Sequence, residues 1–519
     1  MHDLLEDPLI GIRTAAGERQ VCLPELLAQL TAGKVDAYTA LRAHQADPWH
    51  VFLVQIAASV LAHRPASSLP ADPAYWRDGL LELADGKASA WQLVVDDVTQ
   101  PAFLQHPLSG QAELDREFSP KAVTPDELDV LITAKDHDVK MARAAGESLQ
   151  AWLYALLTYQ TISGYLGAGN FGTLRMNGGF ASRPVVTLIG DPHPSRRFAE
   201  EVHRLGEMRP EVVAKYGYRL QGVALTWLVP WNRSGHQFGV AELEPWFVEA
   251  VRPVRLVQAG EGVVAYGAVS KARQIGPKSL DGGDVGDPWT PVNVGGKKKD
   301  RSALTVSGDG WTPKLITKLL FQQGFELTLL QIPRPGVGAL WFMGSVIVRG
   351  QGTTEGFHRF VVPVPPKARP RFLHRESADR LGEFAQKLLG DATSAERAVD
   401  SALMALAEGG PESINFENPT VVAWAEAVRG KFFRGWEERY FPTLWRAAEV
   451  EDAAPVRADW QDGLVAQARE ILRQAEFSLP LPSARRYRSL VRAESVLQTS
   501  LRSAGLVGSR PQQPEEKVA

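Results

Sequence analysis

The stretch Pro363-Val364-Pro365-Pro366 divides the sequence into two parts of different character. Before it, short β-branched runs such as Val185–Ile189 and Ser345–Val348 alternate with clusters of Gly, Pro and Asp, which predicts short strands joined by long loops. After it, apolar residues recur at helical spacing, as they do from Leu381 to Leu388. We therefore predict an α+β fold class with a large mixed α/β domain over residues 1–365, an antiparallel helical bundle over residues 366–507 and a disordered tail over residues 508–519.

Composition and charge are those of an ordinary globular protein. The chain has 519 residues, of which 44% are hydrophobic and 23% charged, so it is long enough for several domains and too apolar to be mostly disordered. The 57 Lys and Arg against 60 Asp and Glu give a net charge of −3. A protein with this balance is not a bulk polycation, and any contact with nucleic acid must come from local basic patches.

Cysteine content and the absence of targeting signals point to the cytoplasm. Cys22 is the only cysteine, which excludes an intramolecular disulfide and a cysteine-rich zinc site. The N-terminus is acidic and lacks the basic start and apolar core of a signal peptide. The longest apolar stretch, about Val51–Ala62, is too short to cross a bilayer and predicts a core helix. We expect a cytoplasmic protein with no membrane partner.

Motifs that carry chemistry are few. The segment Gly167-Ala168-Gly169-Asn170-Phe171-Gly172 matches G-x-G-x-x-G, but a helix-like segment precedes it where a dinucleotide fold needs a strand. The dipeptide His137-Asp138 occurs in some metal phosphohydrolases, yet the sequence offers no obvious set of further ligands around it. We expect no catalytic residue, no metal and no cofactor, so the chain is not predicted to be an enzyme.

Loops that combine glycine with basic residues are the clearest functional signal. The first, 164–183, contains Arg175 and Arg183, and a loop without Cβ atoms can bring its backbone N–H groups close to phosphate. The others are 271–301, which is rich in Lys and Arg, and 349–355, which follows a predicted strand. Each alone is more often a solvated loop, but three in one domain favour contact with nucleic acid.

Several blocks of sequence occur in an order that resembles the CasA family, the large subunit of Cascade, the type I-E CRISPR surveillance complex. None of the blocks is a catalytic signature. The blocks are Leu41–Gln45 with Pro48–His50, Thr124–Asp129 with Ala134–Lys140, Gly169–Pro184, and Val348–Gly356. Because they span most of the chain in the family's order, the resemblance implies a non-catalytic subunit that binds DNA.

The resemblance also implies which residues meet DNA. In the family a glycine-rich loop enters the minor groove of double-stranded target DNA at the protospacer-adjacent motif (PAM), and a basic side chain approaches from the major groove. A hairpin then acts as a wedge that helps open the duplex for R-loop formation. The corresponding residues are Gly167, Gly169, Asn170, Phe171 and Gly172 for the minor groove, Lys278 for the major groove, and Gly350, Gln351, Gly352 and Thr353 for the wedge.

Protein and RNA partners follow from the same resemblance. The family has a loop close to the guide RNA and the backbone subunits of Cascade, and here it corresponds to Lys135, His137, Asp138, Lys140 and Arg143. The helical bundle is expected to contact the small subunits, and the whole chain to recruit the helicase–nuclease. Some relatives carry a cysteine cluster consistent with zinc, which this chain, with Cys22 alone, does not.

Three alternatives remain open from the sequence. The chain would fit the large subunit of another type I CRISPR system, with the same role and a different motif preference. A metal-dependent nuclease that uses His137 and Asp138 is a second alternative. The third is a scaffold that makes no contact with DNA.

Overall fold

The structure is a computed structural model. It describes residues 2–129, 148–167, 169–175, 183–233, 237–276, 282–295, 301–333, 340–349, 354–409, 419–478 and 483–507. The chain divides into two compact units, Met1–Thr312 with Lys318–Pro363, and Pro313–Thr317 with Val364–Ala519. The main division between them therefore falls within the Pro-Val-Pro-Pro stretch.

Strands and helices alternate irregularly through the first unit. The strands are β1 Ile10–Thr14, β2 Gly17–Val21, β3 Ala37–Tyr38, β4 Ser119–Ala122, β5 Val185–Ile189, β6 Val223–Leu225, β7 Leu243–Val248, β8 Val254–Ala259, β9 Gly262–Gly267, β10 Val292–Asn293, β11 Ser302–Ala303, β12 Phe325–Glu326, β13 Trp341–Arg349 and β14 Thr354–Pro363. The helices are α1 Leu23–Thr31, α2 Ala43–His63, α3 Pro73–Leu83, α4 Gln111–Glu117, α5 Pro125–Leu128, α6 Leu149–Thr161 and α7 Pro194–Tyr216. A further helix, α8 Pro313–Leu320, has Pro313–Thr317 in the second unit and its remaining residues in the first.

Helix α2 forms the centre of the first unit. Its residues from Trp49 to Val60 are buried, so it is apolar all round, as expected for a core helix. The aromatic ring of Trp49 contacts Tyr154 of α6 edge to face, with ring centroids 5.2 Å apart. Gln55 donates a 2.9 Å hydrogen bond to the Phe247 carbonyl, which ties the helix to β7. The core helix predicted over Val51–Ala62 is confirmed.

The sheets of the first unit are small. Strand β13 lies between β14 and β5 and pairs with both in antiparallel orientation, while β9 lies between β4 and β8. The parallel pair β6 and β7 forms a two-stranded sheet. Small antiparallel sheets with interspersed helices give a mixed α/β unit, and with the helical region that follows they confirm the predicted α+β fold class. The G-x-G-x-x-G segment follows α6 and not a strand, so it does not open a dinucleotide fold.

The second unit is helical. After the short α9 Arg369–Leu373 come four long helices, α10 Arg375–Ala407, α11 Pro419–Glu449, α12 Ala454–Ala475 and α13 Ser483–Ser503. Its core contains Trp436, Tyr440 and Trp460, whose rings meet with centroids 6.2–6.3 Å apart. Trp436 and Trp445 are buried, whereas Trp424 is half-buried and its indole N–H donates to the Ser478 hydroxyl.

Candidate nucleic-acid interface

The sequence-predicted DNA residues fall partly within the described chain. Gly167, Gly169, Asn170, Phe171 and Gly172 are described and form one loop after α6. The others lie outside the described residues: Lys278 for the major groove, Gly350, Gln351, Gly352 and Thr353 for the wedge, and Lys135, His137, Asp138, Lys140 and Arg143 for the guide-proximal loop.

The glycine-rich loop, defined here as residues 164–172, contains a tight turn. The Asn170 N–H donates a 3.0 Å hydrogen bond to the Gly167 carbonyl, and the Leu166 N–H donates one of 3.0 Å to the Asn170 carbonyl. The backbone φ angles are +110° at Gly167 and +77° at Gly169, a region that L residues with side chains rarely adopt. Both glycines are therefore required by the shape of the turn.

The glycine-rich loop packs against residues 269–273. The Ser270 N–H and hydroxyl donate hydrogen bonds of 3.0 and 3.2 Å to the Gly169 carbonyl. A Cβ atom on Gly169 would lie 2.7 Å from Val269 Cβ, closer than real contacts allow, and 3.1 Å from the Ser270 carbonyl oxygen, which is a tight contact. The Arg273 guanidinium lies 5.9 Å from the Phe171 ring centroid, within cation–π range. Side-chain bulk is thus excluded where the loop meets this segment.

Two cations accompany the glycine-rich loop. Lys271 is exposed and follows Ser270, while the half-buried Arg273 contacts Phe171. The Arg273 guanidinium beside Phe171, with the exposed Lys271 two residues earlier in the chain, provides positive charge suited to contacting a phosphate backbone. Both residues belong to the basic segment 271–301, in which Arg301 instead pairs with Asp284 and Glu326.

Arg175 and Arg183 do not belong to this basic surface, which corrects the expectation that both contact nucleic acid. Both side chains are buried. Arg183 donates two hydrogen bonds of 2.6 and 2.7 Å to the Asp287 carboxylate, and the Arg175 guanidinium stacks 3.8 Å from the Phe247 ring centroid and donates to the Phe247 carbonyl. A buried guanidinium held by such partners stabilises the fold and has no access to phosphate.

The carboxylates of this buried cluster have opposite pKa shifts. Burial by itself would raise the pKa of Asp287, but the Arg183 guanidinium outweighs it and lowers the pKa below its ordinary value. Burial raises the pKa of Glu249, although Arg175 lies 3.7 Å away, and its carboxylate accepts the Leu174 N–H at 2.9 and 3.1 Å. The end of the glycine-rich segment is therefore held by charged groups that are sealed from water.

A second buried cluster fixes the base of the β13–β14 hairpin. Arg197 of α7 donates to Asp47 at 2.6 Å and to Glu201 at 2.8 Å, and His50 and Trp289 also bond to Glu201. Burial alone would raise the pKa of Glu201, but Arg197 lowers it to about 2. The Ser345 hydroxyl of β13 bonds to Asp47, so the hairpin is attached to α2 through this cluster.

His44 of α2 links the bases of two predicted loops. Its Nε2 lies 2.7 and 2.8 Å from the two carboxylate oxygens of Asp129, which is the last described residue before residue 148. Gln45 donates a further 2.6 Å hydrogen bond to Asp129. The His44 ring also meets Phe357 of β14 with centroids 6.3 Å apart. Asp129 and Phe357 of the β13–β14 hairpin thus both contact His44 of α2.

The sequence did not identify the residues that hold these loops. Glu249, Arg252 and Asp287 lie far along the chain from the loops that they contact, and none belongs to a motif. The one local signal was the presence of two charged residues, Glu249 and Arg252, within the otherwise apolar stretch from Phe247 to Val254.

The described part of the chain offers neither a cluster of metal-ligating side chains nor a helix that could cross a membrane. No group of three or more His, Cys, Asp or Glu side chains there is arranged to hold a metal ion. Likewise, none of the helices described above is both long enough and apolar enough to cross a membrane.

Fold and site together define a class of protein: a large two-unit chain whose first unit presents a glycine-rich loop beside cations, held by buried ion pairs. Solved structures with the same fold are similar to this chain along nearly their whole length. CasA from Thermus thermophilus matches with a TM-score of 0.65 and 14% identity, covering 96% of this chain and 99% of that chain.

Two Cse1 structures match in the same way. Cse1 from Acidimicrobium ferrooxidans, a CRISPR-associated protein, gives a TM-score of 0.62 at 13% identity, and Cse1 from Thermobifida fusca gives 0.59 at 14%. Each covers 97% of this chain and 98% of its own. No family model matches the sequence, and no curated protein does. At these identities the comparison shows a shared fold, and the CasA fold implied by the sequence blocks is confirmed.

Proposed function

We propose that this chain is the non-catalytic large subunit of a type I-E CRISPR surveillance complex, Cascade, and that it recognises the PAM on double-stranded DNA. The observation that carries the proposal is the CasA fold over 96% of the chain, with a glycine-rich loop beside Lys271 and Arg273 in the first unit. No catalytic group, metal or cofactor is part of the proposal. The chain would act in the cytoplasm.

The glycine-rich loop is the proposed minor-groove reader. The minor groove is narrow and its donor and acceptor pattern is degenerate, so a backbone turn without side chains fits it and tolerates several motifs. Gly167 and Gly169 provide such a turn, with Asn170, Phe171 and Gly172 completing it. Lys271 and Arg273 are the described cations beside the loop, and Lys278, further along the same segment, is retained for the major-groove side.

The β13–β14 hairpin is the proposed wedge. Its strands pair from Trp341 opposite Pro363 to Arg349 opposite Thr354, so Gly350, Gln351, Gly352 and Thr353 join two paired strand ends. Attachment of β13 to the Asp47 and Arg197 cluster provides a firm base. Opening a base step costs a few kcal/mol, which contacts to the separated strands offset. The hairpin would thereby assist R-loop formation.

Guide RNA and the backbone subunits are the proposed partners of Lys135, His137, Asp138, Lys140 and Arg143. The segment that contains them leaves the described chain at Asp129, bound by His44 and Gln45, and re-enters at Ser148, whose hydroxyl caps α6. Two fixed ends support a binding role for the intervening residues. Crosslinks from the guide RNA to segment 130–147 in the assembled complex would test it, and their complete absence would refute it.

The binding test compares reconstituted Cascade with and without this chain on target duplexes with a randomised PAM. Omission is expected to abolish PAM selectivity. The double variant K271S/R273S is expected to weaken binding and to reduce the slope of log affinity against log salt by about 2, because each phosphate contact contributes about 0.9. Arg19→Ser in β2 combined with Lys34→Ser, just after α1, removes the same charge elsewhere in the first unit and serves as the matched control.

Two outcomes would contradict the proposal. If binding is equally PAM-selective without the chain, the chain does not read the motif. If the control pair lowers the salt slope as much as K271S/R273S, the two cations beside the loop are not phosphate contacts.

Recruitment of the helicase–nuclease has its own test, a pull-down of that protein by DNA-bound complexes with and without the chain. Equal recovery in the two cases would contradict the proposed recruitment.

The bundle is proposed to contact the small subunits. Phe477 and Tyr487 are both 80% exposed, which is unusual for large aromatic side chains and typical of a docking surface. Val491 is exposed one helical turn after Tyr487, on the same face of α13. Arg486 and Arg488, also exposed, flank Tyr487 and would favour an acidic partner surface.

The double variant F477S/Y487S is expected to lower the affinity for the small subunits at least about tenfold, because exposed aromatics are frequent interface anchors. Its unfolding midpoint should change little, since neither side chain is buried. Native mass spectrometry of the assembled complex measures the occupancy of the small subunits. Leu220→Ser, which removes a 61% exposed apolar side chain from the first unit, is the control, and equal losses in both variants would count against the proposal.

A further inference from the structure

We infer that Arg252 is a positioning residue for the glycine-rich loop, and that it sets the PAM discrimination of the complex without touching DNA. The inference rests on the proposed function. It concerns a residue at the base of the loop and not one of the residues that would contact the duplex. Arg252 binds main-chain groups at the end of α6 and at the start of the loop.

Arg252 is fully buried and binds the end of α6 together with the start of the loop. Its guanidinium donates to the carbonyl oxygens of Tyr159, Ser163 and Gly164, the Ser163 contact measuring 3.3 Å. It also lies 4.5 Å from the Tyr159 ring centroid. The carbonyls at the end of a helix lack partners within the helix and carry partial negative charge. One guanidinium therefore caps the helix and fixes the direction in which the loop leaves it.

The backbone of Arg252 is fixed to the same helix. The Arg252 N–H donates to the Gln160 side-chain oxygen at 2.8 Å, and the Gln160 amide donates to the Arg252 carbonyl at 2.9 Å. The same amide group donates to the Leu104 carbonyl at 2.9 Å. Because the main chain of Arg252 is held on both sides, its guanidinium has a defined position relative to α6.

The short segment 247–252 also holds the far end of the loop. Glu249 accepts the Leu174 N–H, and the Phe247 carbonyl accepts a 2.8 Å hydrogen bond from Arg175. Glu249 therefore holds the chain just after the loop, while Arg252, three residues further along the same segment, holds the start of the loop. Both ends of the turn at Gly167–Asn170 are thus fixed by one stretch of chain, which pre-organises the loop.

The test is PAM discrimination by Cascade reconstituted with Arg252→Lys. Lysine keeps the charge and the stem but cannot reproduce the planar fork of donors that reaches three carbonyls. The ratio of affinities for duplexes with the preferred and a scrambled PAM is expected to fall about tenfold, while affinity for the scrambled duplex and its salt slope stay unchanged. A residue that only stabilised the fold would not change that ratio.

Arg255→Lys is the matched control. Arg255 is equally buried and likewise donates to main-chain carbonyls, those of Gln100 at 3.0 Å and His106 at 3.2 Å, but it does not contact the loop. The two variants should lose similar stability, and Arg255→Lys should keep the wild-type ratio. Equal ratios in the two variants would overturn the inference. A wild-type complex without PAM discrimination would instead overturn the proposed function.

Hydrogen exchange decides the matter if Arg252→Lys does not enter the complex. In the isolated chain, amide exchange over residues 164–174 is expected to accelerate at least about tenfold, with exchange in the middle of α6 unchanged. The Asn170 and Leu174 amides are the informative positions, because both are hydrogen-bonded in the folded loop. Exchange rates equal to those of wild type would overturn the inference.

Discussion

Replacing Asp287 with Ala is expected to reduce the free energy of unfolding by about 3–5 kcal/mol, a large part of the roughly 5–15 kcal/mol that stabilises a typical domain. Asp287 accepts both hydrogen bonds from Arg183 and one of 3.0 Å from Thr290, and Arg175 lies 3.9 Å away. Without the carboxylate, the positive charges of Arg175 and Arg183 would remain buried with less negative charge beside them. Urea denaturation followed by circular dichroism gives the change in midpoint.

Glu18→Ala is the control for this variant. Glu18 pairs with Arg13 in the β1–β2 hairpin, where both side chains are 59% exposed. Exposed pairs contribute about 0–1 kcal/mol, so the midpoint should hardly move. A loss below about 1 kcal/mol for Asp287→Ala would show that the carboxylate does not compensate the buried arginines. Arg175 and Arg183 would then again be candidates for contact with nucleic acid.

Replacing Gly169 with Asp is expected to reduce PAM-selective binding by about 5- to 150-fold, which corresponds to roughly 1–3 kcal/mol of backbone strain in the bound loop. The φ angle of +77° disfavours an L side chain, and the new Cβ would lie 2.7 Å from Val269 Cβ. The loop must therefore move away from the segment that carries Lys271 and Arg273. Binding to duplexes with preferred and scrambled PAM measures the effect in the reconstituted complex.

Two companion variants separate geometry from charge. Gly260→Asp introduces the same carboxylate at a φ of +61° in the β8–β9 turn, where no atom lies within 4 Å of the new Cβ, and it should retain selectivity. Gly169→Ala introduces the steric conflict without the charge. If the Gly169→Ala complex keeps wild-type PAM selectivity, the position of the loop does not depend on having glycine at residue 169. The wedge variant Gln351→Ala, tested in parallel, is expected to slow duplex opening while leaving PAM discrimination intact.

The sequence predicted those parts of the fold that depend on local pattern. The apolar run in α2 and the recurring apolar residues of α10 gave two helices correctly, because helical periodicity is a property of neighbouring residues. The proline-rich stretch Pro363–Pro366 is also a local feature of the sequence, and the main division between the two units falls within it. The CasA fold itself was inferred from ordered blocks of sequence, and it agrees with the matched structures.

Side-chain pairs between residues far apart in the chain could not be predicted from the sequence. Arg183 was grouped with the basic residues of a glycine-rich loop that favours contact with nucleic acid, whereas its partner Asp287 lies 104 residues later. His44 and Asp129 are separated by 85 residues, and no local sequence pattern marks them as hydrogen-bond partners. Whether an arginine reaches solvent or a buried carboxylate depends on tertiary packing, which no local pattern encodes.

The excursion between Ile162 and Arg183 is closed at its base, where the Arg183 N–H donates a 3.3 Å hydrogen bond to the Ile162 carbonyl. The ends of α6 and β5 are therefore joined independently of the chain between them, and a change of length there need not displace them as long as the contacts of Gly169, Leu174 and Arg175 are kept. Doubling the length of such a closed loop costs only about 0.6 kcal/mol in chain entropy. Under the proposed function, a change of DNA preference would thus require altering only the turn within this excursion, at little cost to the rest of the molecule.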